Sequence, residues 1–281
     1  MRFRDMLLQI DSYPATTPDG VIDTAVAFAK TVGGQLGALA VQVDIPLSRN
    51  FIADTLIDLG GLEKEWEAAS LAGCRAAIRH FEATAKAAGV FAGADIQRIN
   101  LYRVDDILAR RARTRDLCMV PLTERYDGQI ELARQVIFES GRPVLVLSGR
   151  PIVTESGIGE VAVAWDGSRS AARALADALP ILKRASAVRL VTFVNEKDAA
   201  APGLAAEAAR HLAAHGITAA VDEVDAKGVP IGRAIDGYLS QKPASLLVMG
   251  AYGRPRAFEF VLGGATEHVL RYPPTALFLS H

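Results

Sequence analysis

The strongest constraint on this chain is an alternation that occurs twice. Short apolar runs of strand length take turns with stretches whose apolar residues recur at helical spacing. Over residues 1–150 the strand-like runs are 6–10, 37–43, 94–100, 117–120 and 143–147, with helical patterns at 20–32, 62–88, 104–113 and 129–139. In the first helix Val21, Ala25, Phe28, Ala29 and Val32 share one face, and Gly33-Gly34 ends it. The second half repeats the plan with runs at 161–164, 188–194, 218–224, 246–249 and 276–279. Strands that alternate with helices need right-handed crossovers, and these build a parallel sheet covered on both faces. The predicted fold is therefore α/β: two tandem five-stranded parallel-sheet domains, Rossmann-like and doubly wound.

Three matched segments mark the halves as copies. Ile10-Asp11 corresponds to Trp165-Asp166, the run Leu117-Cys118-Met119-Val120 to Leu246-Leu247-Val248-Met249, and residues 142–147 to 274–279. The expected domains are 1–150 and 157–281, with 151–159 as linker. The first half is longer mainly around residues 45–70, where 45–61 reads as an insertion or lid.

Charge and hydropathy remove several function classes. Lys and Arg number 31 against 32 Asp and Glu, which argues against broad attachment to nucleic acid or anionic lipid. Apolar runs fall far short of the ~20 residues a membrane span needs, and Met1-Arg2-Phe3-Arg4-Asp5 has no signal-peptide core, so a cytoplasmic protein is expected. Cys74 lies in a helical pattern and Cys118 in a strand, which predicts packed, reduced thiols.

The stretch that looks built for a ligand follows the run at 246–249. Gly250-Ala251-Tyr252-Gly253 leads into nine residues, then Gly263-Gly264-Ala265-Thr266 opens a helical pattern. Glycines let backbone amides approach a ligand, and a helix N-terminus at the carboxyl edge of a parallel sheet suits phosphate oxygens. With the strand before it and the Pro273-Pro274 and apolar strand after it, this tail resembles the universal stress protein family. The likeness extends over nearly the whole chain, in a tandem form of that family. Its nucleotide-binding members carry Gly-x2-Gly-x9-Gly followed by Ser or Thr. Here Gly264 stands in place of the hydroxyl residue, and Thr266 is the nearest substitute donor.

The resemblance implies ATP, with any Mg2+ carried by the nucleotide. The implied binding residues are Ala164, Trp165, Asp166, Val194, Met249, Gly250, Gly253, Gly263, Gly264, Ala265 and Thr266. Asp166 would sit near adenine and ribose, with Ala164, Trp165 and Val194 lining the base and Met249 near the ribose. Each also has a plain role, Asp166 as a helix cap and the apolar residues as core. Arg254 and Arg256 lie within the nine-residue loop and read as solvated, or as partners of a triphosphate. After Val120 the first half has Pro121-Leu122-Thr123-Glu124-Arg125-Tyr126-Asp127 and no Gly-x2-Gly, so one site is expected, in the second half.

No catalytic nucleophile elbow, Walker loop or metal-ligand spacing occurs, so no catalytic or metal-binding residue is assigned. The leading expectation is a nucleotide-binding protein of stress response or signalling, a binder before an enzyme. A slow ATPase or nucleotidyl enzyme and a ligand-free scaffold are the alternatives. In the family, last strands often pair across a dimer. The two halves can satisfy that pairing within one chain, as a pseudo-dimer, with a further homodimer open.

Overall fold

The computed structural model describes residues 3–44, 59–123, 127–194, 203–252 and 264–281. In the first half β1 (Asp5–Ile10), α1 (Asp19–Val32), β2 (Gln35–Asp44), α2 (Leu59–Ala88), β3 (Phe91–Asn100), α3 (Val104–Ala112), β4 (Leu117–Pro121), α4 (Asp127–Glu139) and β5 (Val144–Leu147) follow in order. A short hairpin, β6 (Val153–Thr154) and β7 (Gly157–Ile158), connects to the second half. There β8 (Val161–Ala164), α5 (Arg169–Leu182), β9 (Val188–Val194), α6 (Leu204–Ala214), β10 (Ala219–Asp225), α7 (Ile231–Gln241), β11 (Leu246–Gly250), α8 (Gly264–Arg271) and β12 (Ala276–Ser280) repeat the plan. The expected insertion at 45–61 falls almost wholly outside the described residues. Its last three residues open α2.

All ten long strands form one sheet, in the order β10-β9-β8-β11-β12-β5-β4-β1-β2-β3. Within each half every pairing is parallel. The halves meet where β12 runs antiparallel to β5, pairing Leu277 with Val146, Phe278 with Leu145 and Leu279 with Val144. Each half thus caps the last strand of the other, and neither β5 nor β12 is a free edge.

Alternation along the strands splits the apolar residues between two faces. One face packs Met6, Leu8, Val163 and Val248 under α1, α2, α5 and α6; the other packs Leu7, Val120, Leu247 and Met249 under α3, α4, α7 and α8. Both cores run through both halves. Phe3 meets Phe278 across the seam with ring centroids 6.1 Å apart. The predicted linker is part of this packing, since Ile152 and Ile158 are fully buried.

Candidate functional site

The strand order sets the second-half carboxyl edge. β11 lies between β8 and β12, with Val248 in register with Val163, so the end of β11 is next to the Trp165-Asp166 turn. That is the neighbour relation expected of first and fourth strands.

Gly250 closes β11 for a reason internal to the fold. A Cβ there would stand 2.4 Å from the Ala171 amide nitrogen and 2.5 Å from the Ser170 carbonyl carbon, so the bare backbone admits the first turn of α5. Ser168 caps that helix by accepting from the Ala171 amide at 3.1 Å, and the Asp166 carboxylate accepts from the Ser168 amide at 2.9 Å. Asp166 is exposed and keeps its remaining acceptor positions toward solvent. Gly167, at φ +71°, turns the chain under the Leu204 side chain.

The four apolar candidates separate by face. Ala164 and Met249 pack with the α7 and α8 core, whereas Trp165 packs with the opposite core. The Trp165 indole donates to the Leu204 carbonyl at 3.2 Å and ties the end of β8 to the start of α6. Val194 ends β9 half-buried, and its carbonyl accepts from the Ala226 amide at 2.9 Å. A single wall of Ala164, Trp165 and Met249 side chains does not form, because neighbouring strand residues point to opposite faces.

Beyond Gly250 the chain stays anchored. Ala251 donates to the Ser280 carbonyl at 2.7 Å, and the Tyr252 amide donates to the Thr266 hydroxyl at 3.2 Å. Thr266 is buried, so its hydroxyl ties the end of β11 to the first turn of α8. Gly264 is exposed and Ala265 half-buried at that helix start, where the positive end of the helix dipole faces outward. Gly253 and Gly263, with Arg254 and Arg256, lie outside the described residues.

Tyr252, at φ +51°, folds its ring into the seam between the halves. It lies 4.3 Å from the Phe138 ring of α4, and Phe138 in turn meets the His281 ring at 4.8 Å. His281 is hydrogen-bonded through Nδ1 to the Ala251 carbonyl at 3.0 Å. Burial pushes the Tyr252 hydroxyl's pKa up, and the Arg134 guanidinium beside it opposes that shift. Arg134 also donates to Glu267 in α8 at 2.7 Å and pairs with Glu131.

The matching edge of the first half is sealed. Asp11 is buried, and its two oxygens accept from the Gln9 amide at 2.7 Å and the Gln129 amide at 2.8 Å. Burial raises its pKa to about 6, with the two amides pulling the other way. Beside it Ser12 bonds the Val41 carbonyl at 2.5 Å and Ser70 at 2.6 Å, and Ser70 accepts from the Val43 amide. Asp11 and Asp166 thus share a position and differ in surroundings: one is locked inside by the chain's own side chains, the other faces water.

The role of Tyr252 and its α4 neighbours is invisible in sequence, because residues 134, 138, 252 and 267 meet only through the seam. The Gln9 network left a faint trace: a glutamine inside an apolar strand, two residues from Asp11 and so on the same face. Of the other functional classes, Cys74 and Cys118 are buried and free, and burial pushes the Cys118 thiol up to about 12. The acidic group Asp44, Glu63 and Glu67 is already served by Arg98, which donates to Asp44 at 3.0 Å and Glu67 at 2.6 Å. Among the described residues no helix is long and apolar enough to cross a membrane.

The model of the universal stress protein family matches residues 158–279. A universal stress protein from Archaeoglobus fulgidus DSM 4304 superposes with a TM-score of 0.72 at 18% identity, covering 99% of this chain and 97% of that one. A protein of Pseudomonas aeruginosa PAO1 described as functionally unknown gives 0.56 at 16% identity, covering 99% of this chain and 92% of the other. At such identities these likenesses establish the fold alone. No curated protein matches the chain. Residues 158–279 therefore carry a domain of the universal stress protein family.

Proposed function

We propose that the protein binds one adenine nucleotide, ATP with Mg2+, at the carboxyl edge of its second half, and serves in stress response or signalling as a binder. The observation that carries this reading is the contrast between the two aspartates: Asp11 is buried under two glutamine amides, while Asp166 spends one contact on the Ser168 amide and stands exposed beside the end of β11. An exposed carboxylate with free acceptor positions suits ribose hydroxyls. The outward N-terminus of α8 at Gly264 and Ala265 suits phosphate, through amides and dipole. Ala164 and Val194 would meet the base. Trp165 and Met249, committed to packing, would contribute mainly backbone.

The absence of a hydroxyl at Gly264 is offset in part by the amide, which glycine retains. Thr266 supplies less than the sequence suggests, since its oxygen already accepts from Tyr252. Domain limits of 1–150 and 157–281, the first without a nucleotide site, are part of the same proposal.

The test is to denature freshly purified protein and identify any released small molecule by mass, then repeat after stripping and incubation with Mg2+ and ATP. Recovery of one adenine nucleotide per chain supports the proposal. An empty fraction after incubation, together with an unchanged melting temperature on adding millimolar ATP, favours the ligand-free scaffold.

A further inference from the structure

Two segments border the candidate site, the end of β11 at Gly250-Ala251-Tyr252 and the first turn of α8 at Gly264–Glu267. Both are touched by one helix of the other half. Phe138 of α4 stacks on the Tyr252 ring at 4.3 Å, and Arg134, one turn earlier on the same helix, stands beside the Tyr252 hydroxyl and donates to Glu267 at 2.7 Å. Arg134 and Glu267 side chains are each 19% exposed, so this pair is far less screened than a surface bridge. Its neighbours are charged as well: Glu131 on α4 pairs with Arg134, and Arg271 on α8 bonds Glu267 and Asp127 at 3.3 Å. The C-terminal His281 completes the contact, bonding the Ala251 carbonyl and meeting Phe138 edge-on.

A glycine strand end and the first turn of a short helix have little side-chain packing of their own. Tyr252 at positive φ lacks an intrinsic preference for its backbone conformation, and a non-glycine residue there is held by its surroundings. Those surroundings include Phe138 and Arg134 of the first half beside Thr266 of the second. We infer that the first half, sealed at its own edge, acts as a brace for the site of the second, with Arg134 and Phe138 as positioning residues that fix the spacing of Tyr252 and α8. This rests on the nucleotide reading for its functional consequence, but the brace itself is a property of the unliganded chain.

Preorganised flanks save the ordering cost that a ligand would otherwise meet. Replacing Arg134 by Ala leaves Glu267 facing Arg271 alone and takes the guanidinium away from the Tyr252 hydroxyl. The expected effect is faster amide exchange in peptides covering 249–252 and 264–271, with exchange in β1 and β2 unchanged, and Mg-ATP binding about tenfold weaker by calorimetry. Phe138→Ala should loosen the 249–252 peptide more than the 264–271 peptide, since its ring meets those of Tyr252 and His281, and His281 is bonded to Ala251.

The experiment uses the full chain, with amide exchange measured by mass spectrometry and ATP binding measured in parallel. Wild-type exchange at both flanks in Arg134→Ala overturns the brace. A variant too unstable to purify is replaced by Arg134→Lys, which keeps the charge and loses the fork; intermediate exchange supports the brace and wild-type exchange overturns it. If wild-type protein binds no ATP while Arg134→Ala loosens both flanks, the nucleotide reading fails and the brace stands.

Discussion

At the scale of single residues, the two aspartates show how a duplicated position acquires two physical lives. Asp11 titrates near 6 in the fold against an ordinary 3.8, so between those values the folded chain holds a proton the unfolded chain has lost. Its burial cost is therefore absent below about pH 4, grows as pH rises, and is complete above about pH 6, where the shift corresponds to about 3 kcal/mol. Asp11→Asn removes that titration. The buried Gln9 carbonyl oxygen, which has no partner in the structure, can then accept from the new amide if Gln9 turns over. Urea unfolding of the variant should show a smaller fall in stability from pH 4.5 to pH 7 than wild type. Identical pH profiles would mean that Asp11 is not the buried acid the geometry describes.

At the scale of elements, Gly250 lets the end of β11 pack against the first turn of α5. Gly250→Ala drives a methyl into the Ser170-Ala171 backbone, and α5 must retreat from β11. A destabilisation of about 1–3 kcal/mol is expected by denaturant titration, since overpacking against backbone has no rotamer to relieve it. A variant as stable as wild type would show that α5 can move freely at its first turn. The same glycine marks how much was legible beforehand. The strands and helices of both halves follow from apolar periodicity and internal likeness, which are local or repeat-level signals, whereas the pairing of the two last strands was implied by the family resemblance. The reason for Gly250 was not legible, because the spacing that suggests a phosphate turn is also satisfied by a helix that packs closely. Nor was the opposition of Trp165 to Ala164 and Met249, although strand alternation held the means to foresee it. Arg134, Phe138 and Tyr252 meet across more than 100 positions of sequence, through a seam that no local pattern encodes.

At the scale of the whole molecule, two halves with one plan share a ten-stranded sheet and two continuous cores, and of the two matched aspartates only that of the second half is exposed. The outer edges of β3 and β10 have no neighbour in the described sheet, and both strands carry many half-exposed or exposed positions. Charged Asp95 and Arg98 on β3, and Asp222, Glu223 and Asp225 on β10, blunt those edges against further pairing. The first half, in which Asp11 is buried against Gln9 and Gln129 beside the Ser12-Ser70 pair, contributes α4 to the seam against Tyr252 and α8. The central claim is an asymmetric molecule with one nucleotide site, and calorimetric titration of stripped full-length protein with Mg-ATP measures its stoichiometry directly. The account predicts one nucleotide per chain, with binding lost when Asp166 is replaced by Ala and retained when Asp11 is replaced by Asn. Two nucleotides per chain, or none at millimolar ATP, would contradict it.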